Sequence, residues 1–123
     1  MLMRIYGNAE SPIYLAQLLE AVAEPTRLRI LNLLEQGEFC VCELQAILAL
    51  NEPTVSRHLA RLRFAGLVLT RRSGSRMMYR LSEADSPTIT ILHRFLREAS
   101  REEPSLQRDL KAVGDLVRAR KRA

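Results

Sequence analysis

The 123-residue sequence predicts a single, mainly α-helical domain with one small β-hairpin. Apolar residues recur at helical spacing along most of the chain, and a proline or a small polar residue stands where most of these runs begin. The exception is the stretch 67–81, where two strand-like runs, 67–70 and 77–81, flank a Ser-Gly-Ser tip. A chain of this length can bury a core without disulfides or a structural metal, so residues 1–123 are expected to form one domain.

Serine-proline pairs mark the starts of helices at both ends of the chain. Ser11-Pro12 forms an N-cap and first-position pair, and a second helix is predicted at about 25–36. Ser86-Pro87 repeats the first pattern and opens the C-terminal helices, predicted at about 87–119.

Two short helical segments with a tight break lie between these helices. An apolar segment covers 41–48, and Asn51 is placed to cap a second segment from Glu52 to Arg63. Short helices joined in this way are typical of a helix-turn-helix, which we place at about 41–65.

The second helix of this motif has one apolar and one polar face. Its buried side is predicted to hold Val55, Leu59 and Leu62, at i, i+4 and i+7. The opposite side is polar and basic, which suits a recognition helix in a DNA major groove. The side chains expected to contact bases are Thr54, Ser56, Arg57 and His58. Arg61 is expected to contact a phosphate.

Arginine is concentrated over this helix and the hairpin that follows. Between Pro53 and Ser82 the chain has seven arginines and no Asp or Glu, although its overall net charge is only +5. Such a basic surface on an otherwise mildly acidic protein is typical of nucleic-acid binding. The hairpin, at about 67–81, is therefore interpreted as a wing that places Arg72 and Arg76 on phosphates. The basic residues 118–122 are interpreted as a frayed, solvated tail.

The terminal helices have apolar faces wider than the core of one small domain can cover. We therefore predict a homodimer in which the N-terminal helix and the helix beginning near Pro87 pair with their mates. Two recognition helices one DNA turn apart would read a palindromic operator on double-stranded DNA. The alternative is that these faces pack within the monomer.

The cysteines and the absence of targeting signals in the sequence favour a cytoplasmic location. No apolar stretch approaches a transmembrane helix and the N-terminus lacks a signal-peptide pattern, so a cytoplasmic protein with no membrane partner is expected. The two cysteines, Cys40 and Cys42, are too close for an unstrained disulfide and are predicted to be reduced thiols. His93 lacks a suitably spaced partner and is interpreted as a packing or surface histidine.

Four motifs in order resemble the ArsR/SmtB family of metal-responsive repressors, over about residues 15–98. They are Glu24-Pro25-Thr26-Arg27-Leu28-Arg29-Ile30-Leu31, Cys40-Val41-Cys42-Glu43-Leu44, Pro53-Thr54-Val55-Ser56-Arg57-His58-Leu59 and Tyr79-Arg80-Leu81. The resemblance implies a dimeric winged helix-turn-helix repressor that leaves its operator when a metal or metalloid binds. The Cys-Val-Cys motif resembles the arsenite- and antimonite-sensing branch, which implies Cys40 and Cys42 as ligands of As(III) or Sb(III), with no permanent cofactor.

The chemistry of these soft ions supports the same assignment, because thiolates are their preferred ligands. Residues i and i+2 are about 200° apart on an α-helix, so both sulfurs can grip one ion only if the helix start is unwound or distorted. We hypothesise that binding shifts the segment 41–48 and displaces the recognition helix. Where some relatives carry a third cysteine this chain has Gln45, so the third ligand is open between water, a cellular thiol, Glu43 and none.

Other functions remain open at the level of sequence. The cysteines could sense oxidants, or the protein could be an architectural DNA-binding protein with little sequence preference. An enzyme is not expected, since the chain has no Gly-rich phosphate loop, no Cys-x-x-Cys motif and no Ser/His/Asp constellation.

Overall fold

The computed structural model describes residues 12–82 and 86–122, and no helix in these ranges is long and apolar enough to cross a membrane. Three helices begin at the predicted prolines, Pro12, Pro25 and Pro87, and the predicted helix-turn-helix is present. Ser11, the predicted N-cap of the first helix, lies outside the described residues. In chain order the elements are α1 (Pro12–Val22), α2 (Pro25–Leu34), β1 (Phe39–Cys40), α3 (Val41–Leu48), α4 (Glu52–Phe64), β2 (Val68–Ser73), β3 (Arg76–Leu81), α5 (Pro87–Ser100) and α6 (Pro104–Arg122).

The core joins the first four helices to the base of a small sheet. Helix α4 contributes Val55, Leu59 and Leu62, which are fully buried as predicted. Helices α1 to α3 and the sheet close over them with Leu18, Ile30, Leu33, Phe39, Leu44, Leu48, Leu67 and Val68. Because α4 is held by one face only, its opposite face is left on the surface.

The sheet has three antiparallel strands in the order β1-β3-β2. Strands β2 and β3 pair from Val68 opposite Leu81 to Ser73 opposite Arg76, which leaves a two-residue tip. The hairpin is therefore confirmed, but its strands extend beyond the predicted 67–70 and 77–81. The extension projects past the core with residues 71–76 exposed, so it lacks the alternation that marks a half-buried strand.

Strand β1 is not expected from the sequence, because two residues carry no periodic pattern. Phe39 lies opposite Tyr79 and Cys40 opposite Met78 on β3. The Phe39 side chain is buried and fixes this pairing in the core. Strand β1 thus attaches the chain immediately before α3 to the hairpin.

Helix α6 continues to Arg122, so residues 118–122 are helical and not frayed, although they are exposed as predicted. The Asp109 carboxylate accepts hydrogen bonds from Nε and Nη2 of Arg29 at 2.8 and 3.0 Å. Asn32 Nδ2 donates to the Leu106 carbonyl at 3.0 Å. These contacts with α2 hold α6 against the body, and their partners are too distant in sequence for a local pattern to reveal them.

Two helices leave apolar side chains in solvent. Ile13, Leu15 and Leu19 on α1, and Ile91 and Phe95 on α5, are between 47% and 62% exposed. These are the helices for which the sequence predicts pairing with a second copy.

His93 is buried on α5, in agreement with a packing role. Its Nε2 has no hydrogen-bond partner among the described residues, and its ring hydrogen-bonds the backbone of Ser82. Burial lowers the pKa of His93, and this outweighs the Glu35 charge and the Ser82 hydrogen bond, which favour the protonated ring. The folded protein therefore holds this imidazole in its neutral form.

We predict that stability falls as the pH drops below the ordinary histidine pKa of about 6.5. The unfolded chain takes up a proton there that buried His93 resists, so protonation favours unfolding. The free energy of unfolding, from urea titrations at about pH 7.5 and 5.5, should fall less in His93→Gln than in the wild type. Equal falls in both proteins would contradict this account.

Candidate functional site

A cap and a tight turn position the outer helix of the helix-turn-helix. Ala49 has a left-handed φ of 57° and ends α3. The Asn51 side-chain oxygen accepts a hydrogen bond from the Thr54 N–H at 3.0 Å, which confirms the predicted N-cap. Glu52 lies in the first turn of α4, where its charge complements the helix dipole.

The side chains predicted to contact DNA from α4 differ in how free they are. Arg57 is exposed and has no hydrogen bond or ion pair within the part of the chain that the structure describes. Thr54 and Ser56 are half-buried, and the Ser56 hydroxyl donates to Glu52 Oε1 at 2.6 Å. Arg61 Nη2 lies 3.2 Å from Glu20 Oε1 on α1. Arg57 is thus the most available of these groups.

His58 is turned toward the start of α2. Its Nδ1 lies 3.6 Å from Glu24 Oε2 and 3.3 Å from Arg27 Nη1, and its side chain is only 15% exposed. Burial raises the pKa of Glu24, but the backbone hydrogen bonds of Arg27 and Thr26 and the charges of His58 and Arg27 outweigh it and lower the pKa. His58 therefore ties α4 to α2, and its predicted contact with a base remains a prediction.

Carboxylates from outside the arginine-rich stretch neutralise part of its charge. Arg71 forms a double hydrogen bond with Glu38, with Nε to Oε2 at 2.8 Å, and Arg80 Nε lies 3.9 Å from the same carboxylate. Arg72 is exposed and unpaired in the described ranges. Because some of the seven arginines are paired, the free basic surface is smaller than their number indicates. The sequence does not reveal this pairing, since the carboxylates are distant in sequence.

The two cysteines lie at the junction between strand and helix. Cys40 is the last residue of β1 and the N-cap of α3, with extended backbone angles (φ −88°, ψ 167°), whereas Cys42 lies in the first turn. Both are free thiols, Cys40 buried and Cys42 exposed. The predicted bounds of this helix, 41–48, agree with the structure, and because Cys40 is already extended, little unwinding is needed for both sulfurs to bind one ion.

The wing reaches the buried thiol directly. Arg76 Nη1 lies 4.0 Å from Cys40 Sγ, and Cys40 is paired in register with Met78 of the same strand. Arg76, which the sequence assigns to a phosphate, is thus also adjacent to the sulfur. Burial raises the pKa of Cys40, and the Glu43 carboxylate and the Cys42 thiol add to this effect. A soft ion that binds here must displace a proton.

A buried carboxylate holds the backbone of this junction. Glu43 Oε1 accepts the Cys40 N–H at 3.0 Å, and Arg120 of α6 binds the same carboxylate with Nε to Oε2 at 2.7 Å and Nη2 to Oε1 at 2.5 Å. Burial raises the pKa of Glu43, but the hydrogen bonds and charge of Arg120 and the Cys40 N–H outweigh it and lower the pKa. Glu43 is therefore a charged cap at neutral pH.

The donor set suits a soft ion and not a hard one. In the ranges 12–82 and 86–122, no three His, Cys, Asp or Glu side chains are grouped so that they could hold a metal. Both oxygens of Glu43 are already engaged, which disfavours it as a third ligand. What remains is a pair of thiols, the groups that trivalent arsenic and antimony prefer.

Sequence reasoning missed the role of Arg120 and the capping role of Glu43. The spacing Cys40-x-x-Glu43 matches the position at which a glutamate reaches back to a helix N-cap, so the second could have been found. Arg120 lies 77 residues away from its partner, and no local signal points to it.

Comparisons with known proteins point to one family. Residues 24–70 match the family described as "Bacterial regulatory protein, arsR family". An arsenical resistance operon repressor of Escherichia coli (strain K12) is 51% identical over 67 residues, which cover 54% of this chain and 57% of that protein. The chain spans about half the length of the curated relatives it matches.

Solved structures extend the similarity to most of the fold. Reduced HlyU from Vibrio cholerae N16961 is 38% identical, with a TM-score of 0.59 over 70% of this chain and 92% of that one. The homodimeric winged helix-turn-helix DNA-binding domain of Mb0332 from Mycobacterium bovis is 32% identical, with a TM-score of 0.62 over 74% and 82% of the two chains. The winged helix-turn-helix predicted from the sequence is thus confirmed, and the relatives are regulators, in agreement with a non-enzymatic role.

Proposed function

Because the chain belongs to the ArsR family, we propose that it is a sequence-specific transcriptional repressor that As(III) or Sb(III) releases from its operator. The observation that carries this proposal is the position of the thiols. Cys40 belongs both to the wing sheet and to the N-cap position of α3, and Cys42 lies in the first turn of α3. An ion bound to both sulfurs therefore acts on both parts of the DNA-binding unit.

The identity of the inducer follows from ligand chemistry and from a relative. Two free thiols without a supporting carboxylate or imidazole favour a soft, thiophilic ion. The similar protein of Escherichia coli is named an arsenical resistance operon repressor. Water or a cellular thiol then completes the coordination, since Glu43 is engaged by Arg120.

Release of DNA requires that binding at the thiols favours a different arrangement of α3. Drawing the exposed Cys42 sulfur toward the buried Cys40 sulfur distorts the first turn of α3. Because α3 and α4 pack together, this distortion moves α4 out of the DNA groove. Because Cys40 contacts Arg76, movement of Cys40 also disturbs the wing. A coupling of about 1–3 kcal/mol would lower operator affinity roughly 5- to 150-fold.

DNA is held by the outer face of α4 and by the wing. Bases are read by Thr54, Ser56, Arg57 and His58, and phosphates are bound by Arg61, Arg72 and Arg76. Arg61 exchanges its exposed ion pair with Glu20 for a phosphate, which is a small loss because such surface pairs are weak.

The working unit is a homodimer on a palindromic operator. The exposed apolar residues of α1 and α5 supply an interface, and Mb0332, which has the same fold, is described as homodimeric. Two copies place two recognition helices on successive half-sites. We propose that this unit acts in the cytoplasm, and the two free thiols and the proposed DNA target support this.

The thiol pair is tested by replacing both cysteines with serine. The probe is a labelled operator selected by the protein from randomised DNA, followed by fluorescence anisotropy with sodium arsenite. The wild type should lose affinity about 5- to 150-fold, and Cys40→Ser, Cys42→Ser should keep its affinity. Release of the double variant by arsenite would refute the site, whereas release of the wild type by peroxide alone would favour a redox sensor.

The division of DNA contacts is tested by two single variants. Arg57→Ala should weaken the selected operator by about 1–3 kcal/mol more than random DNA, because it removes base contacts. Arg72→Ala should weaken both DNAs equally and flatten the salt dependence by about one unit. Binding isotherms at several salt concentrations measure both effects, and equal preference for random DNA in the wild type would indicate an architectural protein.

The dimer interface is tested at Phe95, which is 62% exposed. Phe95→Ser removes apolar burial from both sides of the interface, so the dimer should dissociate at least about tenfold more readily in sedimentation experiments. The matched control is Leu69→Ser, an exposed apolar residue of the wing, which should leave dissociation unchanged. A wild-type monomer at high concentration would contradict the prediction.

A further inference from the structure

One side chain of α6 contacts the chain on both sides of Cys40. Arg120 binds the Glu43 carboxylate through two nitrogens, and its guanidinium carbon lies 5.2 Å from the centre of the Phe39 ring. Its Nη2 also lies 3.4 Å from the Glu38 carbonyl oxygen. Arg120 of α6, which lies outside the helix-turn-helix, therefore holds the junction at which Cys40 joins β1 to α3. We call this contact the clamp.

Glu43 passes this contact on to the cysteine backbone. Its carboxylate is 8% exposed and accepts the Cys40 N–H. A carboxylate at such a site needs a charged partner, because an unpaired charge is costly to bury. Without Arg120 the Glu43 side chain would turn toward water and release the Cys40 N–H. Arg120 thus keeps Cys40 extended and α3 capped.

The far end of α6 is itself anchored, so Arg120 is not a chance contact of a loose end. Arg29 and Asn32 of α2 bind the first half of α6 through Asp109 and the Leu106 carbonyl. Val113 is buried between this anchor and Arg120. Helix α6 lies outside the segment 24–70 that matches the family.

We infer that Arg120 is a positioning residue of the thiol site, which holds the junction in its DNA-binding geometry and opposes the rearrangement that metalloid binding requires. The inference rests on the proposed function. Thermodynamic linkage then requires that removing Arg120 changes the affinities for DNA and for the metalloid in opposite directions. Loss of the clamp lowers DNA affinity and raises metalloid affinity, whereas a merely structural loss would lower both.

The experiment compares Arg120→Met with Lys121→Met. Methionine keeps an apolar stem but removes the guanidinium, and Lys121 is an exposed cation on the same turn without a described contact. Sodium arsenite binding is followed by the ultraviolet absorption of the arsenic–thiolate bonds, and binding of the selected operator by anisotropy. Arg120→Met should bind arsenite about fivefold more tightly or better and bind DNA correspondingly more weakly. Lys121→Met should bind arsenite as the wild type does.

A second measurement needs no metalloid. Hydrogen exchange of the Cys40 N–H, followed by nuclear magnetic resonance, should be about tenfold faster in Arg120→Met and unchanged in Lys121→Met. Unchanged exchange in Arg120→Met, or weaker arsenite binding together with weaker DNA binding, would overturn the clamp. If the wild type does not bind arsenite, the proposed function fails, and hydrogen exchange still decides whether Arg120 holds the junction.

Discussion

The structure depends on a single junction, at which Cys40 ends β1 and caps α3. Its N–H is taken by Glu43, so it cannot move without loss of a buried, charge-assisted hydrogen bond. Its strand pairing ties it to the wing, and the helix that follows packs on the recognition helix. Any ligand of the Cys40 sulfur therefore lies beside both the wing and the helix-turn-helix, which are the parts proposed to contact DNA.

Around this junction and the helix-turn-helix, three ion pairs join segments that are distant in sequence. Glu38 holds Arg71 of the wing, Glu20 holds Arg61 of α4, and Glu43 holds Arg120 of α6. The Arg61 pair is a single contact with an exposed carboxylate, and such pairs are weak, whereas Arg71 makes a double hydrogen bond with Glu38. The Arg120 pair has a buried carboxylate and acts as a fixed link. Burial of the carboxylate therefore distinguishes the pair that holds the fold from the two surface pairs.

Local patterns predicted most of the elements because each helix carries its own signals. The structure agrees with the prolines predicted to start α1, α2 and α5, with the Asn51 cap and with the buried face of α4. The features that were missed have no local sequence signal. Strand β1 has only two residues and the wing tip has no buried face, so neither shows a hydrophobic periodicity. The partners of Arg120 and Arg71 lie far away in sequence.

The sequence by itself determined the helix-turn-helix, the wing, the polar face of α4 and the presence of two soft ligands beside them, since these follow from composition and short-range spacing. Only the tertiary structure decided that Cys40 pairs with the wing strand β3 and that α6 closes over the junction. Those features depend on strand pairing and on a buried ion pair between distant segments. Such contacts form only when the core brings the segments together, and no local pattern records them.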